Sequence, residues 1–148
     1  DNAGLDEELS AVAAKEAGNA NDASSDNSED ASSLFEQIDR TIRDERLYLN
    51  PDFQRQTLVD MFHSDRNRVG RVIKDFSGFS NLSAYINNYR LEYAYRLLRD
   101  LDNKQTIDSI AKASGFSTVR TFQRLFKERY GMTPAEFRES YPGLRTNE

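Results

Sequence analysis

The 148-residue chain has no cysteine, no tryptophan, only three prolines and a single histidine. Without cysteine there are no disulfides and no thiol chemistry, which fits a reducing compartment. His63, alone, leaves a histidine-rich metal site or histidine-based catalysis without partners, and reads as a surface turn residue. No apolar run approaches the roughly 18 residues of a membrane span, and no signal-peptide pattern is present. The alternating Val, Ile and Thr runs that strands need are missing too. Acidic pairs are scattered over helix faces with no convergent partner, so no carboxylate dyad is expected and an enzyme is the weakest class. No cofactor or metal is expected. The only methionines are Met61 and Met132, so a chain starting at Asp1 reads as cut from a longer protein or as having lost a short start, which leaves room for an upstream input domain.

What the chain does have is charge, unevenly spread. Residues 1–33 carry nine acidic side chains against one lysine, whereas 34–148 carry 19 basic against 16 acidic, a net of +3. The formal charge of −5 therefore belongs to the tail. From Gly18 to Ser33 the tail is almost wholly Asn, Asp, Ser, Ala and Glu, too polar to repay ordering. Residues 1–32 are expected to be a disordered linker from an upstream domain, with a solvated tail or an acidic mimic of DNA as alternatives.

From Ser33 the apolar spacing is helical. Leu34, Phe35, Ile38 and Ile42 predict a helix over about 33–47, capped by Ser33, with Asn50-Pro51 closing the next loop. A second helix is expected at about 54–62, with Leu58, Met61 and Phe62 inward. After the turn His63 to Asp65 comes a third at about 66–76, completing a helix-turn-helix. The longest stretch, about 81–99, contains no Gly or Pro, and its tyrosines (Tyr85, Tyr89, Tyr93, Tyr95) are spaced for packing rather than base stacking. Thr106 to Ser114, Thr118 to Tyr130, and Pro134 to about Ser140 follow, with Gly115 turning and Gly131 stopping the chain. The expected fold is all-α: seven helices, in a first helix-turn-helix subdomain at 33–80, a linker helix at 81–99, a second subdomain at 100–141 and a terminal tail at 142–148.

The two helix-turn-helix segments are one device written twice. Arg71, Lys74 and Gly78 recur 53 positions on as Arg124, Lys127 and Gly131, and the inward residues Val69, Val72 and Ile73 recur as Phe122, Leu125 and Phe126. Outward at i, i+3, i+4 and i+7 stand Asn67, Gly70, Arg71 and Lys74 on the first copy, and Arg120, Gln123, Arg124 and Lys127 on the second. Arginine suits the paired acceptors of guanine, and Asn or Gln suits adenine. Arg66, Arg68, Lys74, Ser117, Thr118 and Lys127 fall at the edges, where phosphates would lie. An intervening helix of about 18 residues spans about 27 Å, near the 34 Å repeat of adjacent major-groove faces. One chain could then read an asymmetric, bent site. Structural pairing of Arg71 or Arg124 with acids such as Asp108 is the rival reading. Gly70 is unusual: it removes a side chain from the outward stripe and costs about 1 kcal/mol relative to alanine.

The runs Ile107-Asp108-Ser109-Ile110-Ala111, Gly115-Phe116-Ser117, Phe122-Gln123-Arg124-Leu125-Phe126-Lys127 and Gly131-Met132-Thr133-Pro134-Ala135-Glu136-Phe137-Arg138 resemble the signature of AraC/XylS-type transcription regulators. Tyr85-Ile86-Asn87 and Arg90-Leu91-Glu92-Tyr93-Ala94 through Leu97-Leu98 resemble the linker helix of that family. The likeness covers about 34–140. It implies a bacterial, cytoplasmic DNA-binding output domain with two recognition helices on one promoter site. Asn67, Arg71, Val119, Arg120, Gln123 and Arg124 would face the groove. Implied partners are double-stranded promoter DNA, RNA polymerase and an upstream sensor, with no membrane contact by this segment. His63 departs from the pattern, standing where the family commonly has glycine. The alternative is a helical protein-interaction module that has lost DNA binding, which the small positive excess of 34–148 favours slightly.

Overall fold

The computed structural model describes residues 25–146; for 25–28 and 141–146 only the backbone path is described. Residues 1–24 of the acidic tail and residues 147–148, to which the expected linker and end tail extend, lie outside the described residues. Among the described residues there are seven α-helices and no strand. They are α1 (Ser25–Asp44), α2 (Arg55–Phe62), α3 (Arg66–Phe76), α4 (Leu82–Arg99), α5 (Ile107–Ala113), α6 (Val119–Tyr130) and α7 (Pro134–Thr146), with a short 3-10 turn at Leu47–Leu49. No described helix is long and apolar enough to cross a membrane.

Three boundaries differ from the sequence expectation. Helix α1 starts at Ser25 rather than 33, because a helix nucleated on a packed stripe propagates by one bond per residue even through polar sequence. Ser33 is thus inside the helix, where its Oγ accepts from Gln37 Nε2 at 3.3 Å. The same helix ends at Asp44, not 47, because Arg46 at φ 54 turns the chain out and the 3-10 turn carries Tyr48 into the core. Helix α7 runs past Pro142 and Gly143 to Thr146, although those residues disfavour helix by about 3 and 1 kcal/mol.

The chain divides into two compact units. The first comprises the residues up to Tyr48 and Asp52–Asn87; the second comprises Leu49–Pro51 and everything from Asn88. The division falls within α4.

In the first unit α1 and α2 pack on α3. Ile38, Ile42, Phe53, Leu58, Val69, Ile73, Tyr85 and Ile86 are buried. Phe35 lies between Phe76, with ring centroids at 6.2 Å, and Tyr85, at 5.8 Å. The Tyr85 hydroxyl donates to the Asp39 carboxylate, which also accepts from Arg43 Nε at 2.9 Å. Met61, expected inward, is 40% exposed, and Phe62 is half-buried. The eight-residue α2 has a narrow buried face, filled by Leu58 and Arg55.

The second unit is built on rings. Phe116, Phe122, Phe126 and Phe137 are buried together with Leu91, Ala94, Leu98, Ile110 and Ala111. Consecutive ring centroids lie at 5.2 Å (Phe116–Phe122), 5.7 Å (Phe122–Phe126) and 5.9 Å (Phe126–Phe137). Tyr95 stacks on Tyr130 at 4.8 Å and meets Phe137 at 4.9 Å, so it is half-buried and packs against the core, as its spacing implied. Burial pushes the Tyr130 phenol above its ordinary pKa.

Candidate nucleic-acid interface

Helix α3 is started by Asp65, whose carboxylate accepts from the Arg68 backbone N–H at 2.8 Å. With Val69, Val72 and Ile73 buried, the 3.6-residue period turns Asn67, Arg71 and Lys74 to solvent on one face. Arg68 is half-buried, and Gly70 lies half-buried between the exposed residues. Arg66, expected at a phosphate, is half-buried and donates from Nη1 to Gln56 Oε1 at 3.1 Å. Gln56 Nε2 in turn donates to Asp60 at 2.9 Å, so the start of α3 is tied to α2 by side chains.

Beneath that tie lies Arg55, 1% exposed, whose Nη1 donates to the Arg66 backbone carbonyl at 3.3 Å. Sequence reasoning missed this residue, because an arginine at the start of a short amphipathic helix reads as solvated. The turn between the helices is made by His63, in the left-handed region at φ 51 and ψ 41, with its N–H donating to the Val59 carbonyl. It is exposed, in keeping with its reading as a surface turn residue. Among the described residues no group of three or more His, Cys, Asp or Glu could hold a metal ion.

The second unit repeats the scheme with different chemistry. Thr106 caps α5 by accepting from the Ser109 N–H at 3.1 Å. Gly115, at φ 95, makes the turn, and Thr118 caps α6. Thr118 stands 53 positions after Asp65, so the two caps occupy equivalent sites, one a carboxyl side chain and one a hydroxyl. Thr118 Oγ1 accepts from the Thr121 N–H at 3.2 Å and donates to Thr121 Oγ1 at 3.0 Å. Phe122 and Phe126 point inward; Arg120, Gln123, Arg124 and Lys127 are all exposed on the opposite face, and Ser117 and Thr118 are exposed just ahead of it.

Val119 is not part of that exposed stripe. It is half-buried and packs against the aromatic core, three residues before the buried Phe122 on the same side of the helix. Arg124 pairs with Glu128, not Asp108, at 3.6 Å across one turn. Both side chains are more than half exposed, and such pairs are worth about 0.5 kcal/mol or less, so the guanidinium is easily recruited elsewhere.

A second arginine missed as structural is Arg90 on α4. It is 2% exposed and donates from Nη2 to the Asn50 carbonyl at 2.9 Å, fastening the Leu49–Pro51 segment within the second unit. Burial pushes its guanidinium down to about 10. Arg55 and Arg90 are therefore withdrawn from any phosphate contact.

Each unit thus holds a short helix, a left-handed turn and a capped second helix whose outer face is arginine with an amide or a lysine. Hydrogen-bonding side chains in a row on a helix suit base edges in a major groove.

Comparison with known proteins agrees with this geometry. Residues 58–140 match the family described as a helix-turn-helix domain. Over 95 residues the chain is 34% identical to a relative described as probable transcription factor PqrA from Proteus vulgaris, covering 64% of this chain and 75% of that one. It is 32% identical over 108 residues to the HTH-type transcriptional regulator YijO of Escherichia coli (strain K12), covering 73% of this chain but only 36% of YijO.

Among solved structures, it is similar to the C-terminal domain of the two-component response regulator yesN from Fusobacterium nucleatum, with a TM-score of 0.62 and 26% identity over 72% of this chain and 99% of that one. The fold is also that of the DNA-binding domain of AdpA, solved in complex with a target DNA, with a TM-score of 0.63 and 24% identity over 78% of this chain and 97% of that one. With a family match over more than half its length, built on two copies of the same turn-and-reader unit, the chain belongs to the AraC-type helix-turn-helix family of transcription regulators.

Proposed function

We propose that the chain regulates transcription by placing α3 and α6 in adjacent major-groove segments of one promoter site. The observation that carries this reading is the pair of exposed stripes, each on the outer face of a capped second helix. Asn67, Arg71, Arg120, Gln123 and Arg124 read base edges, with the exposed edge of Val119 as an apolar contact. Arg66, Arg68, Lys74, Ser117, Thr118 and Lys127 set register on phosphates, Arg66 after release from Gln56.

The chain acts as a binding module and not as an enzyme. It serves as the output part of a longer cytoplasmic regulator, with an upstream sensor and RNA polymerase as partners; the relatives YijO and RhaS, of which it covers 36% and 29%, are much longer than the matched region.

Selection of bound duplexes from a random DNA pool, followed by titration of the winner at several salt concentrations, tests the proposal. The expected result is an asymmetric site with two motifs about one helical turn apart, and affinity that falls steeply with salt. No enrichment at low salt, with residues 1–24 removed, would overturn it in favour of a protein-interaction module.

A further inference from the structure

The second reader presents a side chain at every position of its outer stripe, and the first does not. Asn67, Gly70, Arg71 and Lys74 correspond to Arg120, Gln123, Arg124 and Lys127. Gly70 lies inside α3, flanked by the exposed Asn67 and Arg71. The backbone does not call for glycine there: Gly78, Gly115 and Gly131 have positive φ among the described residues, and Gly70 does not. In a helix interior glycine is the poorest choice after proline. What it changes is the outer face, from which it deletes the side chain that Gln123 supplies in the other copy.

We propose that Gly70 is a specificity-determining position that makes the DNA site unequal in information. The base pair facing Gly70 goes unread, while its counterpart facing Gln123 is read through the N6 and N7 edge of adenine. The proposal rests on the placement of α3 and α6 in the groove.

The test repeats duplex selection with the full chain as wild type, G70Q, G70A, Q123A and R71A, with circular dichroism and thermal melting as checks of fold. R71A identifies the half-site belonging to α3. In the wild type, an adenine preference that Q123A abolishes is expected in the other half-site alone. G70Q is expected to add an adenine preference of about 5- to 150-fold at one base pair beside that governed by Arg71. G70A is expected to melt higher, as alanine favours helix, without creating any new preference.

Wild-type base frequencies in the G70Q selection, or an equally strong wild-type preference at that base pair, would overturn the assignment and leave DNA reading intact. A folded G70Q or G70A protein that loses specific binding would overturn it in favour of close backbone approach at Gly70. Failure of the wild type to enrich any duplex would remove the groove placement itself, and this inference with it.

Discussion

The two units carry the same outward device on different interiors. Behind the α3 stripe lie Val69, Val72 and Ile73; behind the α6 stripe lie Phe122, Leu125 and Phe126, with Phe116 and Phe137 completing a run of rings. A core needs volume and shape, and many apolar sets meet that need. A reading face needs particular donors and acceptors at particular places. The two demands therefore separate along one helix: Arg71 and Arg124 stay while Val69 and Ile73 beneath them give way to Phe122 and Phe126.

The largest effects are expected in the cores. Phe126→Ala removes a fully buried ring that touches Phe122, Tyr130 and Phe137, and is expected to cost about 3 to 5 kcal/mol in urea unfolding. At the equivalent position Ile73→Val is expected to cost only about 0.5 to 1.5 kcal/mol. Base preference of the folded fraction should be unchanged in both. An altered preference in folded I73V protein would show that core and face are not separable.

Next in size are the faces. Arg124→Ala and Arg71→Ala are each expected to weaken binding to a selected duplex by about 1 to 3 kcal/mol, with relaxed specificity at one base pair. Lys127→Ala should weaken binding to all sequences alike and make the salt dependence shallower by about one charge. Wild-type affinity in R124A, measured by equilibrium titration, would return that arginine to its surface pair with Glu128.

A smaller effect is expected at the turns. His63 holds φ 51 where Gly115 holds φ 95, and a side chain in the left-handed region is strained by about 1 to 2 kcal/mol. Glycine also loses more freedom on folding, so His63→Gly should stabilise the first unit by about 1 kcal/mol or less. Gly115→Ala should destabilise the second by a similar amount or more. A lower urea midpoint for H63G would mean that the histidine ring contributes something beyond its backbone.

The outer stripes, the seven helices and the spacing of the repeat were legible in the sequence because each rests on a period or a cap. Asn67, Arg71 and Lys74 surface together for the same geometric reason that Val69, Val72 and Ile73 do not. What stayed hidden came from tertiary context. Arg55 and Arg90 are buried because backbone carbonyls of Arg66 and Asn50 wait for them, and periodicity cannot announce such partners. Met61 fits an inward pattern yet stands exposed, since α2 is too short for a second buried row. Ser33 looked like a cap because the stripe begins beside it, while the helix had already propagated from upstream.

The last contrast is electrostatic, at the helix that follows each reader. In the first unit, Asn81 opens α4 by accepting from the Ala84 N–H at 2.8 Å through an amide that carries no charge. In the second, Thr133 and Glu136 form a reciprocal box: Thr133 Oγ1 accepts from the Glu136 N–H at 3.1 Å, and Glu136 Oε1 accepts from the Thr133 N–H at 2.9 Å. Those hydrogen bonds, the backbone one first, hold the Glu136 carboxyl below its ordinary pKa. A depressed carboxyl stabilises the fold above its unfolded value, and that contribution is lost as pH falls through the folded value. The second unit should therefore weaken between the ordinary carboxylate range and the lower pH at which Glu136 protonates, while the α4 cap is indifferent. Glu136→Gln, which keeps a hydrogen-bond acceptor without the charge, should flatten the acid limb of stability measured by urea midpoint against pH, leaving the neutral-pH midpoint only slightly lower. An unchanged acid limb in E136Q would place the acid sensitivity in another carboxylate and make the two caps equivalent.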